Sequence, residues 1–270
     1  MRYLKELYRF LKHITESRKL LFTLAYTDFK EQYSGSYLGI FWAILRPALF
    51  IVVIWFIFGM GFKAKPTTDG TPFILWLLCG FTPWFFFAEA VNKSMNAVVS
   101  NAYLVRKVAF RVSILPLVKI LSALYMHVIF TAIVLSVFIF YGYTPTLYWL
   151  QIPYFMVCTI FLVLGLGWLT SALKVFIKDV GEIVGVIIQF GFWLTPIFWS
   201  IDIIPEKYQS LIKLNPMFYI IDGYRNSLIN NTWFWQNAKE TLYFLIMTGT
   251  ILAVGAITFK RLRPHFGDVL

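Results

Sequence analysis

The sequence predicts an all-α membrane protein in which an N-terminal amphipathic interfacial helix precedes six transmembrane helices, with short re-entrant outer helices between spans five and six. Three observations carry that prediction. The 270 residues are 59% hydrophobic and only 14% charged, figures that a soluble domain of this size does not sustain. Six apolar segments each reach the roughly 20 helical residues that a bilayer core requires. Lys and Arg collect in alternate connections, fifteen on one side against six on the other, which places both the N and the C terminus in the cytoplasm.

Residues 1–36 form the interfacial segment. On a helix, Leu4, Leu7, Tyr8, Leu11, Ile14 and Thr15 share one face while Arg2, Lys5, Arg9, Lys12 and Glu16 occupy the other. A helix of that kind lies in a headgroup layer. Residues 37–270 form the transmembrane domain. Its spans run Tyr37–Phe62, Phe73–Val98, Ser113–Tyr141, Ile152–Val175, Gly181–Ile201 and Thr241–Phe259. The connection from Asp202 to Glu240, punctuated by Pro205 and Pro216, is too apolar for a plain solvent loop, because Leu211, Ile212, Leu214 and the run Phe218 to Ile221 would all meet water. Non-helical backbone survives at membrane depth only where protein or a watery cavity covers it. The connection therefore reads as two short helices dipping back from outside, or else as an interfacial hairpin anchored by Trp233-Phe234-Trp235.

Charge and motif content exclude several classes. The net charge of +11 is spread over short segments between apolar runs, which argues against a nucleic-acid partner. Cys79 and Cys158 fall inside apolar runs, so a disulfide framework is not expected. The N-terminus is too charged for a cleavable signal. No Gly is followed directly by Lys, so the chain lacks a nucleotide phosphate loop of the usual kind. His13, His127 and His265 lie far apart with no second ligand at metal spacing, and no acid–base or nucleophile pair sits at one depth. No catalytic or metal site is expected here. The chain reads as a conduit driven by energy from elsewhere.

Charges at membrane depth are functional candidates by default. Arg46 and Glu89 each lie about 14 Å from the cytoplasmic end of their span at 1.5 Å per residue, so an ion pair between spans one and two is allowed. Alternatively Glu89 is protonated or faces water. Outside, Asp222 and Arg225 stand one helical turn apart.

Three blocks of residues occur in a recognisable order. The first is Asp28-Phe29-Lys30, Tyr33, Ser36, Leu38-Gly39, Trp42 and Pro47. The second is Gly80, Pro83-Trp84-Phe85-Phe86, Asn101, Leu104, Lys107-Val108, Phe110 and Leu115-Pro116. The third is Asp179-Val180, Gln189, Leu194-Thr195-Pro196-Ile197, Ile204-Pro205-Glu206, Asn215-Pro216 and Tyr224-Arg225. On these blocks the chain resembles the permease subunits of type 2 ABC exporters of lipid-linked polysaccharides. Segments 148–151 and 214–226 look most like the wall teichoic acid members, with O-antigen and capsular polysaccharide permeases as the alternative. The chain departs from the family's pattern at Thr27 and Gln32, where Arg is usual, and at Arg111, where Pro is usual.

The resemblance implies a homodimer in the bacterial plasma (inner) membrane with a channel at its two-fold interface and two copies of a separate ABC ATPase docked below. ATP and Mg would be bound by that partner, leaving this chain without a cofactor of its own. The cargo would be a polyprenyl-diphosphate-linked polymer. Asn101, Tyr103, Leu104, Arg106, Lys107, Phe110 and Arg111 would form a coupling helix against the ATPase, where a plain positive-inside loop is the alternative. The basic face of the interfacial helix would meet the ATPase and membrane lipid headgroups. Tyr33, Ser36, Arg46, Trp84, Phe85, Phe86, Glu89, Phe190, Trp193, Phe198 and Trp199 would line the channel, since aromatic faces stack on sugars without trapping them. Pro205, Asn215, Pro216, Asp222 and Arg225 would shape the outer segment. A membrane-embedded transferase and a structural anchor are the readings from other classes.

Overall fold

The computed structural model describes residues 18–62, 70–105 and 112–270. Arg2, Lys5, Arg9 and Lys12 of the expected interfacial face lie outside the described residues, as do Arg106, Lys107, Phe110 and Arg111 of the expected coupling segment. Within the described residues every regular element is helical. Helix α1 (Arg18–Glu31) buries Leu21, Ala25 and Phe29, one residue per turn, and leaves its opposite face exposed. That stripe lies against α5.

Five helical stretches are long and apolar enough to cross a membrane: Gly39–Gly61, Phe73–Asn96, Val112–Phe140, Leu147–Phe176 and Phe234–Val269. The first contains α2 (Trp42–Trp55) and ends in a π-helical turn over Phe56–Gly61. The second is α3 (Phe73–Asn96), which continues through Pro83. Prolines are tolerated inside such helices because neighbours satisfy the freed carbonyls. A short helix α4 (Ala102–Val105) follows. Helix α5 (Leu115–Phe140) stops at Gly142, whose positive φ of 87° lets its N–H reach the Ile139 carbonyl while that of Tyr143 reaches Phe138, a Schellman ending. Helix α6 is Ile152–Phe176 and α10 is Ala238–Leu262. A one-turn helix, α11 (Phe266–Val269), closes the chain.

The expected span Gly181–Ile201 takes a different form. Its helix α7 (Val180–Leu194) has 15 residues, a length of about 22 Å against the roughly 30 Å of a hydrocarbon core. The cause is local. Thr195 precedes Pro196, whose ring forces the preceding residue out of the helical region, and Thr195 is extended at φ −84°, ψ 137°.

The connection between α7 and α10 holds α8 (Glu206–Lys213), with no buried residue, and α9 (Pro216–Arg225), buried along most of its length. Asn215 caps α9 by accepting from the Met217 N–H at 3.0 Å, and Pro216 occupies the first turn, where its missing N–H costs nothing. Helix α9 packs among α3, α6 and α10, so it is an internal element of the bundle. The core divides into a cluster around α9 and one around α1, at opposite ends of α3, with a small third cluster of Phe29, Tyr33 and Ala43.

Helices α6 and α10 meet most closely at two glycines. A Cβ added to Gly165 would stand 2.8 Å from the Leu252 nitrogen, and one added to Gly255 would collide with the Gly165 carbonyl. Small residues at membrane helix crossings permit this approach. Gly255→Ala is expected to destabilise the purified protein by about 1–3 kcal/mol through overpacking. Gly249→Ala, where nothing lies within 4 Å, is expected to be neutral or mildly stabilising. Thermal unfolding in one detergent checks both, and equal behaviour of the two variants would contradict this packing.

Candidate functional site

A cavity of about 220 Å³ opens between α2, α3 and α5, lined by Arg46, Phe50, Phe85, Phe86, Glu89 and His127 among others. Two charged groups therefore share a space otherwise lined mainly by aromatic and apolar side chains, Pro47 and Met126 among them. Phe50 stands edge-on to both Phe81 and Phe85, with centroids 5.1 and 5.0 Å away. Phe86 is buried and stacks on His127 at 4.5 Å, and His127 Nε2 shares a hydrogen bond of 2.9 Å with the Tyr224 hydroxyl. The innermost wall of the cavity is thus tied to α9.

The expected Arg46–Glu89 pair is not formed. Glu89 pairs with Lys93 one turn along α3, and the Arg46 guanidinium lies over the Trp42 ring at 5.6 Å. Lys93 is the nearer partner because it shares a helix face with Glu89, whereas Arg46 folds back along its own helix. Both charges still reach Tyr33: burial lifts its hydroxyl above the ordinary value, Glu89 adds to the shift and Arg46 opposes it. Tyr33 is packed beside Phe29, its hydroxyl directed at the Met126 sulfur, while Ser36 is exposed in the turn that follows.

The remaining aromatic candidates separate into two groups. Trp84 is 4% exposed and packs against Phe192, which makes it part of the core, whereas Phe190 and Trp193 are each 62% exposed on α7. Phe198 stacks on Trp193 at 5.3 Å and meets Phe81 and Phe192 edge-on, and Trp199 donates to the Trp193 carbonyl at 3.1 Å. Trp193, Phe198 and Trp199 therefore fold together around the end of α7.

Two of the residues expected in the outer segment, Asn215 and Arg225, converge on that same end. Asn215 donates to Thr195 Oγ1 at 2.7 Å, and Arg225 to the Ile197 carbonyl at 3.2 Å. Tyr219 joins Tyr154 and Thr241 through its hydroxyl, and Asp222 accepts from Asn226. Pro205 precedes the first turn of α8. Of the coupling residues described, Tyr103 is 63% exposed, Leu104 packs on the core around α1, and Asn101 donates back to the Ala97 carbonyl. Among the described residues no three His, Cys, Asp or Glu converge on a point where a metal could bind.

A family model for the ABC-2 type transporter matches residues 19–229. The chain belongs to that family. An O-antigen export system permease protein RfbA of Klebsiella pneumoniae is 31% identical to it, covering 93% of this chain and 95% of the relative. The RfbA protein of Myxococcus xanthus is 27% identical over 96% of this chain and 98% of its own length. The polysialic acid transport protein KpsM of Escherichia coli is 21% identical over 83% and 85%. The protein is thus a multi-pass membrane permease, and its family implies an ABC ATPase subunit as partner.

Within this ABC-2 permease the structure adds a polar network that the sequence did not reveal. Lys119 on α5 pairs with Asp28 on α1, both only about a fifth exposed, and Lys93 donates to Gln32, which in turn reaches Ser122. Lys174 ties the end of α6 to Asn96 at the end of α3. Asp28 stood in the first motif block, but nothing in the spacing singled out Lys119 as its partner. Lys119→Met is expected to lower stability by about 1–3 kcal/mol, more than an exposed pair would. Exchanging the charges, Asp28→Lys with Lys119→Asp, should restore most of that. Thermal unfolding measures both, and an unchanged midpoint in Lys119→Met would show the clamp carries no weight.

Proposed function

We propose that this chain is the membrane-spanning subunit of an ATP-driven exporter that moves a polyprenyl-diphosphate-linked polysaccharide of the O-antigen class outward across the bacterial plasma (inner) membrane. The observation that carries the reading is the near full-length similarity to O-antigen export permeases. The similarity to KpsM extends it to capsule-type polymers. These relatives favour the O-antigen alternative over the teichoic acid reading of segments 148–151 and 214–226.

In this account two copies of the chain assemble with two ATPase subunits, and ATP and Mg reside in the latter. The exposed apolar faces of α2 and α7, with Val52, Val53, Ile187 and Trp193 among their residues, support packing against a second copy within the bilayer. The polymer path takes in Arg46 and Glu89 at the cavity and the aromatics around the end of α7. Aromatic rings offer sugars stacking surfaces that release easily, and Arg46 offers a charge to a passing phosphate. The dipping outer segment is α8 with α9. The basic N-terminal segment meets anionic headgroups and the ATPase, and the segment from Asn101 to Arg111 receives the stroke of the latter.

The test is to reconstitute the permease with its ATPase in lipid vesicles and follow ATP turnover. A diphosphate-linked O-antigen-type polymer is expected to raise turnover several-fold, and a teichoic acid-type polymer is not. Stimulation by the teichoic polymer alone would overturn the assignment, and no response to any polymer would favour an anchoring role. Arg46→Ala and Trp193→Ala are each expected to reduce that stimulation. Because Glu89 already pairs with Lys93, exchanging the charges of Arg46 and Glu89 is expected not to restore it.

A further inference from the structure

The buried cation at the end of α9 has a geometry that the transport account above does not use. Arg225 is 7% exposed. Its guanidinium carbon lies 3.6 Å from the centroid of the Trp76 ring on α3, and its Nη2 donates to the Ile197 carbonyl at 3.2 Å. Beneath it is Gly80, one turn on from Trp76. A Cβ there would stand 3.3 Å from Arg225 Nη2 and 3.2 Å from Ile197 Cγ2, so the absence of a side chain leaves the room that both groups occupy.

The carbonyl that Arg225 reaches lies past the end of α7, in a stretch that is buried but not helical. Thr195 is extended and the residues after it are not helical, so the Ile197 carbonyl has no helical N–H four residues on to accept from. Thr195 spends its own N–H and hydroxyl on the Gly191 carbonyl. Arg225 supplies the missing donor from another helix, and its positive charge is held by an indole face on the other side. A lysine would keep the charge but lose the planar fork that bonds and stacks at once.

We infer that Arg225, Trp76 and Gly80 form a latch that fixes the break after α7 and thereby positions Phe198 and Trp199 at the outer end of the path. Arg225 acts here as a positioning residue. Covered by Trp76 and the 195–199 segment, it does not itself face the polymer. The functional half of this inference rests on the export reading; the structural half does not.

Hydrogen–deuterium exchange on the full-length permease with its ATPase in lipid nanodiscs separates the two. In Arg225→Met and in Trp76→Leu, backbone amides of 197–199 are expected to exchange about ten-fold faster while those of α10 keep their protection, a local opening and not a global one. Arg225→Lys is expected to fall between these and the parent. Polymer-stimulated ATP turnover should decline in the same order. Unchanged exchange at 197–199 in Arg225→Met overturns the latch, and so does loss of protection spread equally through α10. Should Arg225→Met fail to fold, Trp76→Leu and Gly80→Ala decide by the same criteria. Local opening in a protein that answers to no polymer would keep the latch and remove the export reading.

Discussion

Backbone polar groups inside a bilayer must be satisfied by the protein, and in this chain that requirement is most acute at the break before Pro196. Helix α7 ends too early to span, and the residues that follow are buried yet not helical: Thr195 and Ile197 are both wholly inaccessible. What closes the break is α9. Its cap residue Asn215 bonds Thr195, its last residue Arg225 bonds Ile197, and Tyr219 and Tyr224 anchor the length between to α6, α10 and α5. A helix with this many inward polar groups is stable in the bundle because most of them meet a protein partner, the Arg225 Nε being the exception. Even Gly223 serves the fit, since the Phe155 ring occupies the space a side chain would need.

The opposite end of the bundle uses charge where this one uses aromatic and amide groups. Asp28 to Lys119 and Lys93 to Gln32 bind α1 to α5 and α3. These bonds join α1 to two of the three helices that line the cavity. His127 continues the connection, stacking on Phe86 of α3 and bonding Tyr224 of α9. The cavity thus stands between the α1 clamp and α9.

Much of this was legible in the sequence, for identifiable reasons. Long apolar runs bounded by charge located five stretches to within a few residues at most ends, because length and hydropathy alone decide them. The exceptions are informative. The stretch Leu147–Phe176 begins earlier than expected because Leu147–Gln151 forms a 3-10 turn that leads into α6, and Gln151 holds that turn to the chain after α9 by bonding Thr232 and Phe234. The early end of α7 followed from Thr195-Pro196, a pair visible in the sequence but outweighed there by the hydropathy of its neighbours. Partners across the bundle were not legible. Arg46 and Glu89 were matched by depth, yet depth gives no azimuth, and Glu89 found Lys93 on its own face. The same limit hid Lys119 from Asp28 and Trp76 from Arg225, pairs that only the three-dimensional packing of three or more helices brings together.

The central claim is that α9 is folded into the bundle against the broken end of α7. Cysteine cross-linking in native membranes measures this directly, using Thr195→Cys with Asn215→Cys in a chain whose Cys79 and Cys158 are replaced by Ala and which carries a protease site within α8. The account predicts that mild oxidation joins the two positions, so that the cleaved halves stay together until reduced. Halves that separate without reductant, with both cysteines freely modified by maleimide, would contradict it.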